Sequence, residues 1–121
     1  MTTKDDLRRI ALSIPGVVSS EKDDYSFSFN GKGMIWPYPE RVHPKKARVP
    51  RYDQYLFRVA DGDDKEALLM GEPEVFFTTD HYNGYNAVIV RLDAIDKDRL
   101  AELVQMAADA APLSTRSRKK A

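Results

Sequence analysis

Leu7, Ile10, Ala11 and Ile14 recur at helical spacing near the start of the chain, which predicts a helix over 3–13 with one apolar stripe. Thr3 is placed to cap it, Asp5 and Asp6 suit the positive end of its dipole, and Ile14-Pro15-Gly16 ends it. The period then changes to two. Tyr25-Ser26-Phe27-Ser28-Phe29 alternates strictly, Asn30-Gly31 suits a type I′ turn, and 32–36 reads as the return strand of a hairpin. Further strands are predicted over 55–59, 75–78 and 86–92, the last with Val88, Val90 and Leu92 on one face. A short helix is predicted from Asp61 through Met70, acidic at its start and stopped by Gly71 and Pro73. Leu100, Leu103, Val104, Ala107, Ala108 and Ala111 predict a final helix, with Asp96 as its cap and Pro112 as its stop.

The segment 37–50 breaks both periods. It carries Pro37, Pro39, Pro44 and Pro50, each without a backbone donor, so it is expected to be an irregular loop. Loops of that length inside a small domain are commonly functional or mobile. An antiparallel sheet packed by the N- and C-terminal helices would bury every apolar stripe found, which predicts an α+β fold. With 121 residues, a single domain over 1–112 is expected, followed by a basic tail, 113–121, expected to be disordered.

Composition narrows the chemistry. There is no cysteine, which excludes a disulfide framework, a thiolate zinc site and a cysteine nucleophile. No apolar run approaches the roughly 18 residues of a membrane helix, and the charged start reads as a helix instead of a leader. A cytoplasmic protein without a membrane partner is therefore expected. The 19 basic and 19 acidic residues cancel, so no whole-molecule positive field is on offer. The charges are nevertheless segregated. Residues 41–58 hold Arg41, Lys45, Lys46, Arg48, Arg51 and Arg58 against Asp53 alone. Residues 61–80 hold Asp61, Asp63, Asp64, Glu66, Glu72, Glu74 and Asp80 against Lys65 alone.

A resemblance emerges from 66–92. Glu66-Ala67-Leu68-Leu69, then Gly71-Glu72-Pro73-Glu74-Val75-Phe76-Phe77-Thr78-Thr79-Asp80-His81-Tyr82-Asn83-Gly84-Tyr85-Asn86 and on through Leu92, resembles the signature region of the MmcQ/YjbR family. Leu12-Ser13-Ile14-Pro15-Gly16 and Leu92-Asp93-Ala94-Ile95-Asp96 are similar to it too, so the resemblance spans 5 to about 110. It implies a CyaY-like two-layer sandwich and the DNA-binding label that members carry by analogy with wing-bearing domains. The basic, proline-rich insertion at 37–53 departs from the tight hairpin of shorter relatives.

Two groups of residues invite a functional reading. Arg41, His43, Lys45, Lys46, Arg48 and Arg51 form a basic loop interleaved with Tyr38 and Tyr52. Cations neutralise phosphates and tyrosine rings stack on bases, which predicts weak, sequence-independent, salt-dependent DNA binding. The plainer alternative is a solvated loop, or one paired with the acids of 61–80. The second group is His81, Tyr82, Asn83 and Tyr85, which could line a small-molecule or protein-binding pocket. Its plainer alternative is a tight Asn83-Gly84 turn whose tyrosines clamp a sheet edge. His43 and His81 are the only histidines and no metal-ligand spacing accompanies them, so no metal or cofactor is expected. No nucleophile elbow or glycine-rich phosphate loop is present, so no catalytic residue is named and no enzyme is expected. Trp36, Phe27, Phe29, Phe57, Phe76 and Phe77 are assigned to the core.

Overall fold

The computed structural model describes residues 2–40, 43–82 and 84–120, with side chains described except at His81 and beyond Pro112. Helix α1 (Lys4–Leu12) opens the chain. Thr3 Oγ1 accepts from the Asp6 N–H at 3.3 Å, and the Asp6 carboxylate accepts from the Thr3 N–H at 3.0 Å, a reciprocal capping box. The chain then turns at Gly16, whose φ of +92° is open to glycine at little cost. Strand β1 (Val17–Ser19), three residues with no alternation to announce them, was not foreseen from the sequence.

β2 (Phe27–Phe29) and β3 (Lys32–Glu40) form the expected hairpin. Asn30 and Gly31 both take positive φ, 51° and 82°, as a type I′ turn demands. β4 (Val49–Arg58) follows, then α2 (Gly62–Gly71), β5 (Phe76–Phe77), a 3₁₀ turn (Asp80–Tyr82), β6 (Ala87–Arg91) and α3 (Lys97–Lys120). All strand pairs are antiparallel, in the order β1-β2-β3-β4-β6-β5. The fold is thus α+β, a six-stranded antiparallel sheet packed by helices.

The irregular loop expected over 37–50 is largely strand. β3 runs through Pro37 and Pro39, and β4 starts at Val49-Pro50. The reason is positional. β2 pairs with β3 only as far as Ile35, so beyond Trp36 one side of β3 has no neighbouring strand among the described residues. A proline whose missing N–H faces such an open edge costs no ladder bond. Between Pro37–Tyr55 and Tyr38–Arg51 the register slips, leaving Tyr52, Asp53 and Gln54 as a bulge in β4. A second correction concerns the end of the chain. The stop expected at Pro112 is not observed, and α3 continues past it to Lys120. The proline ring removes one intrahelical bond, which bends or weakens a helix without obliging it to end.

One core lies between the sheet and the helices. Ile35, Phe57 and Val88 make one cross-strand row, and Tyr55, Val90 and Phe76 the next, all essentially inaccessible to solvent. Leu7 and Ala11 of α1, Leu68 of α2, and Leu100, Leu103, Val104 and Ala107 of α3 close over them. All three helices therefore serve the same face of the sheet.

Candidate functional site

The other face of the sheet carries its own, smaller cluster. Trp36 pairs with Leu56, Leu56 with Ile89, and Ile89 with Phe77, a row that crosses β3, β4, β6 and β5. Leu56, Ile89, Ala87 and Tyr82 are buried there, with Trp36, Tyr38 and Phe77 half-buried around them. Two arginines lie over the ends of the row. The Arg58 guanidinium stands 5.4 Å from the Trp36 ring centre, and the Arg91 guanidinium 4.2 Å from that of Phe77. Arg58 also donates to the Gly33 carbonyl at 2.6 Å, and Arg91 to the Pro73 carbonyl at 3.2 Å.

No helix covers this face; the 3₁₀ turn does. Tyr82 inserts its ring edge-on between Tyr38 (6.2 Å) and Tyr85 (5.3 Å), and its hydroxyl accepts from the Trp36 indole. Burial pushes the Tyr82 phenol up, and the Trp36 hydrogen bond pulls the other way. Beneath the turn, Lys65 of α2 is only 6% exposed. Its Nζ donates to the carbonyls of Tyr82 (2.5 Å) and Tyr85 (2.8 Å), and desolvation holds its pKa below the usual lysine value. Lys65 ties the turn to α2, a role that nothing in the sequence announced: it reads there as one cation in an acidic run.

Of the turn residues singled out from the sequence, Tyr82 is spent on packing and Tyr85 is half exposed at the rim of a 340 Å³ depression shared with Gly62, Lys65 and Glu66. Asn83 and the His81 side chain lie outside the described residues.

The basic loop is the tip of the β3–β4 hairpin. His43, Lys45 and Lys46 are exposed there, and the Lys45 N–H donates to His43 Nδ1 at 3.1 Å; Arg41 lies outside the described residues. Arg48 folds back from the tip. It donates to the Pro39 carbonyl at 3.0 Å and its positive charge acts on Tyr82. Arg51 is different: it reaches Glu40 at 2.7 Å and Asp53 at 2.8 Å, and those hydrogen bonds hold its guanidinium firmly protonated. Pairing of the loop with the acids of 61–80 is not what is seen for Lys45, Arg48 or Arg51 among the described residues. Their neighbours are on the hairpin itself, while Glu72 pairs with Arg99 of α3 at 2.6 Å. Tyr52, expected to interleave with the loop, turns to the opposite side, packs between Tyr25 and Tyr55, and donates to Asp23 at 3.1 Å.

The structure links the two sequence-predicted groups at one point, where the Arg48 charge acts on the Tyr82 phenol. It adds Trp36, Tyr38, Phe77, Arg58 and Arg91. Trp36 and Phe77, assigned to the core, pack half-buried against the smaller hydrophobic cluster on the second face. The alternation Trp36-Pro37-Tyr38 carried that signal, hidden by the prolines on either side of Tyr38. Among the described residues no three His, Asp or Glu side chains stand where they could hold one metal ion, and no helix is long and apolar enough to cross a membrane.

No family model matches the chain, and no solved structure matches it. It is similar to the uncharacterized protein Rv2570 of Mycobacterium tuberculosis (strain ATCC 25618 / H37Rv) and to the uncharacterized protein Mb2600 of Mycobacterium bovis. Each is 36% identical over 110 residues, which cover 86% of this chain and 84% of the relative.

Proposed function

From the premise that this chain belongs to the family of the mycobacterial proteins Rv2570 and Mb2600, we propose that it is a non-catalytic DNA-binding protein of the MmcQ/YjbR type, contacting phosphates through the tip of the β3–β4 hairpin. The observation that carries the reading is the way the hairpin treats its cations. Past Ile35 on β3 and before Asp53 on β4 the two strands pair with each other and with no third strand, so the hairpin reaches beyond the sheet as a ribbon. At its end Lys45 is exposed, and Arg48 is oriented by a neutral carbonyl, which leaves its charge unspent. A projecting ribbon with a cationic tip suits the phosphate backbone of a duplex. Such binding is sequence-independent and falls steeply with salt, because each neutralised phosphate releases condensed counterions. The resemblance of 66–92 to the MmcQ/YjbR signature supports the same reading.

The test is fluorescence anisotropy of a labelled short duplex at about 50 and about 200 mM salt. Binding at the lower salt should be lost when Lys45, Lys46 and Arg48 are changed together to Glu. Duplex affinity indifferent to that triple change, or no binding at low salt, ends the proposal. A second reading, small-molecule binding, draws on the depression beside the half-exposed Tyr85. It requires a ligand that raises the melting temperature of the native chain and no longer does so in Tyr85→Ala.

A further inference from the structure

We propose that the β3–β4 ribbon enters the major groove of B-form DNA, setting its Pro39–Pro50 row against thymine methyl groups while Lys45 and Arg48 meet the flanking phosphates. This rests on the DNA reading above and deepens it, by naming the groove and the kind of duplex that the hairpin fits.

The argument starts from shape. Beyond the last rows shared with a third strand, the pairs Tyr38–Arg51, Pro39–Pro50 and Glu40–Val49 carry the ribbon outward. At about 3.4 Å per row they extend it by roughly 10 Å before the tip begins. That suits a major groove about 8.5 Å deep and about 12 Å wide, which admits a two-stranded ribbon; a minor groove about 6 Å wide does not. The major groove of an A-form RNA duplex is too deep and narrow for side chains to read. Among duplexes, shape therefore selects DNA over RNA.

Chemistry then selects the side of the ribbon. Register places Tyr38, Glu40, Val49 and Arg51 on one side. Arg51 binds Glu40 across it at 2.7 Å, and Tyr82 packs on its Tyr38 end. That side would carry a carboxylate between two rows of phosphates. The other side carries Pro39 and Pro50 directly opposite each other, Pro50 exposed and Pro39 half-buried. Neither has a backbone N–H, so the row offers base edges apolar surface and no donor. The apolar feature of the major groove is the C5-methyl group of thymine. Lys45 lies at the tip and Arg48 two residues before Pro50, and neither enters an ion pair among the described residues. Their charge is thus available to the phosphate walls of the groove. The methyl contact adds a modest preference for A·T pairs to the sequence-independent phosphate attraction.

The test uses one A·T-rich sequence prepared in three ways: as DNA, as the same DNA with every thymine replaced by deoxyuridine, and as an RNA duplex. The replacement removes the methyl groups and keeps the base pairing. Binding of the native chain is followed by anisotropy at about 50 mM salt. The deoxyuridine duplex should bind about 4–15-fold more weakly than the thymine duplex, as the loss of one or two buried methyl groups implies. The RNA duplex should bind at least about 10-fold more weakly than the thymine duplex, since its groove excludes the ribbon. Pro50→Ser should lose most of the difference between thymine and deoxyuridine DNA and keep the native salt dependence. Netropsin, which fills the minor groove, should leave binding unchanged. Equal affinity for thymine and deoxyuridine DNA, or RNA bound as tightly as DNA, overturns the groove assignment and leaves the phosphate reading standing. Displacement by netropsin places the hairpin in the minor groove and overturns it as well. Failure of every duplex to bind overturns both readings. Should Pro50→Ser not fold, the three duplexes on the native chain decide by themselves.

Discussion

Lys65→Met tests whether one buried ammonium holds the 80–86 turn over the second face of the sheet. Methionine keeps an apolar stem of similar size and removes the donor. Two carbonyls, of Tyr82 and Tyr85, lose hydrogen bonds of 2.5 and 2.8 Å. A buried acceptor left without a partner costs about 1–3 kcal/mol, so the two together cost about 2–6 kcal/mol. Against this stands the relief of no longer desolvating a charge, which is worth several kcal/mol for a fully buried ion and less here, where the carbonyls solvate it. The expected net loss is about 2–3 kcal/mol. At this chain length about 4 °C accompanies each kcal/mol, so the melting temperature should fall by about 8–12 °C. Amide exchange should quicken most around Tyr85. The pH dependence has a definite sign. Desolvation lowers the Lys65 pKa in the folded chain. Between that lowered value and the ordinary lysine value the unfolded chain therefore binds more protons, and this group makes stability rise with pH across that window. Lys65→Met should abolish that alkaline rise. A variant that melts at or above the native temperature, with exchange at Tyr85 unchanged, refutes the role given to Lys65.

Two further predictions concern the helix side of the fold. Gly16 sits at φ +92°, and a Cβ there would stand 2.8 Å from Phe29 Cε1, so Gly16→Ala should cost about 2–3 kcal/mol from backbone and overpacking strain together. Urea denaturation reads it, and a change within about 0.5 kcal/mol, the range of ordinary surface substitutions, would contradict it. The Thr3 backbone N–H, ahead of the Arg9 side chain and the Lys97 charge, holds the Asp6 carboxyl below its usual range against a smaller opposing desolvation. Its contribution is thus complete above the ordinary carboxylate pKa and is lost as pH falls through the lowered one. Asp6→Asn should be less stable at neutral pH and lose less on acidification than the native chain; identical acid limbs for the two proteins would count against it.

The parts of the fold that were legible in the sequence are those decided by neighbours in the chain. The Asn30-Gly31 turn is an example, because positive φ at two successive residues is a local demand that few residue pairs meet. The stripe Leu100, Leu103, Val104, Ala107 is another, since a helix presents its own period. What was misread depends on partners far away in sequence. A proline is costly in a strand only when a neighbouring strand asks for its N–H, and whether β2 continues alongside Pro37 is not written near Pro37. The same holds for the site. Tyr38 and Tyr82 were both visible in the candidate groups, 44 positions apart by number, and only the fold sets their ring centres 6.2 Å apart.

That distinction bears on which cations matter. By composition Arg48, Arg51, Arg58 and Arg91 are equivalent, and a charge count treats them as four equal attractions for an anion. In the fold they divide. Arg51 faces two carboxylates, so an incoming phosphate would have to displace partners that already neutralise it. Arg48 and Arg91 are held by carbonyls, and a phosphate would gain their charge at the cost of no ion pair seen among the described residues. A chain with no net charge can therefore still present a cationic surface, provided its acids are gathered elsewhere. Asp61, Asp63 and Asp64 stand at the start of α2, where Asp61 caps the helix and the helix dipole favours negative charge, and Glu72 is tied to Arg99. The zero sum in the composition thus hides cations held in different ways, Arg51 by two carboxylates and Arg48 by a carbonyl, and a charge count cannot tell them apart.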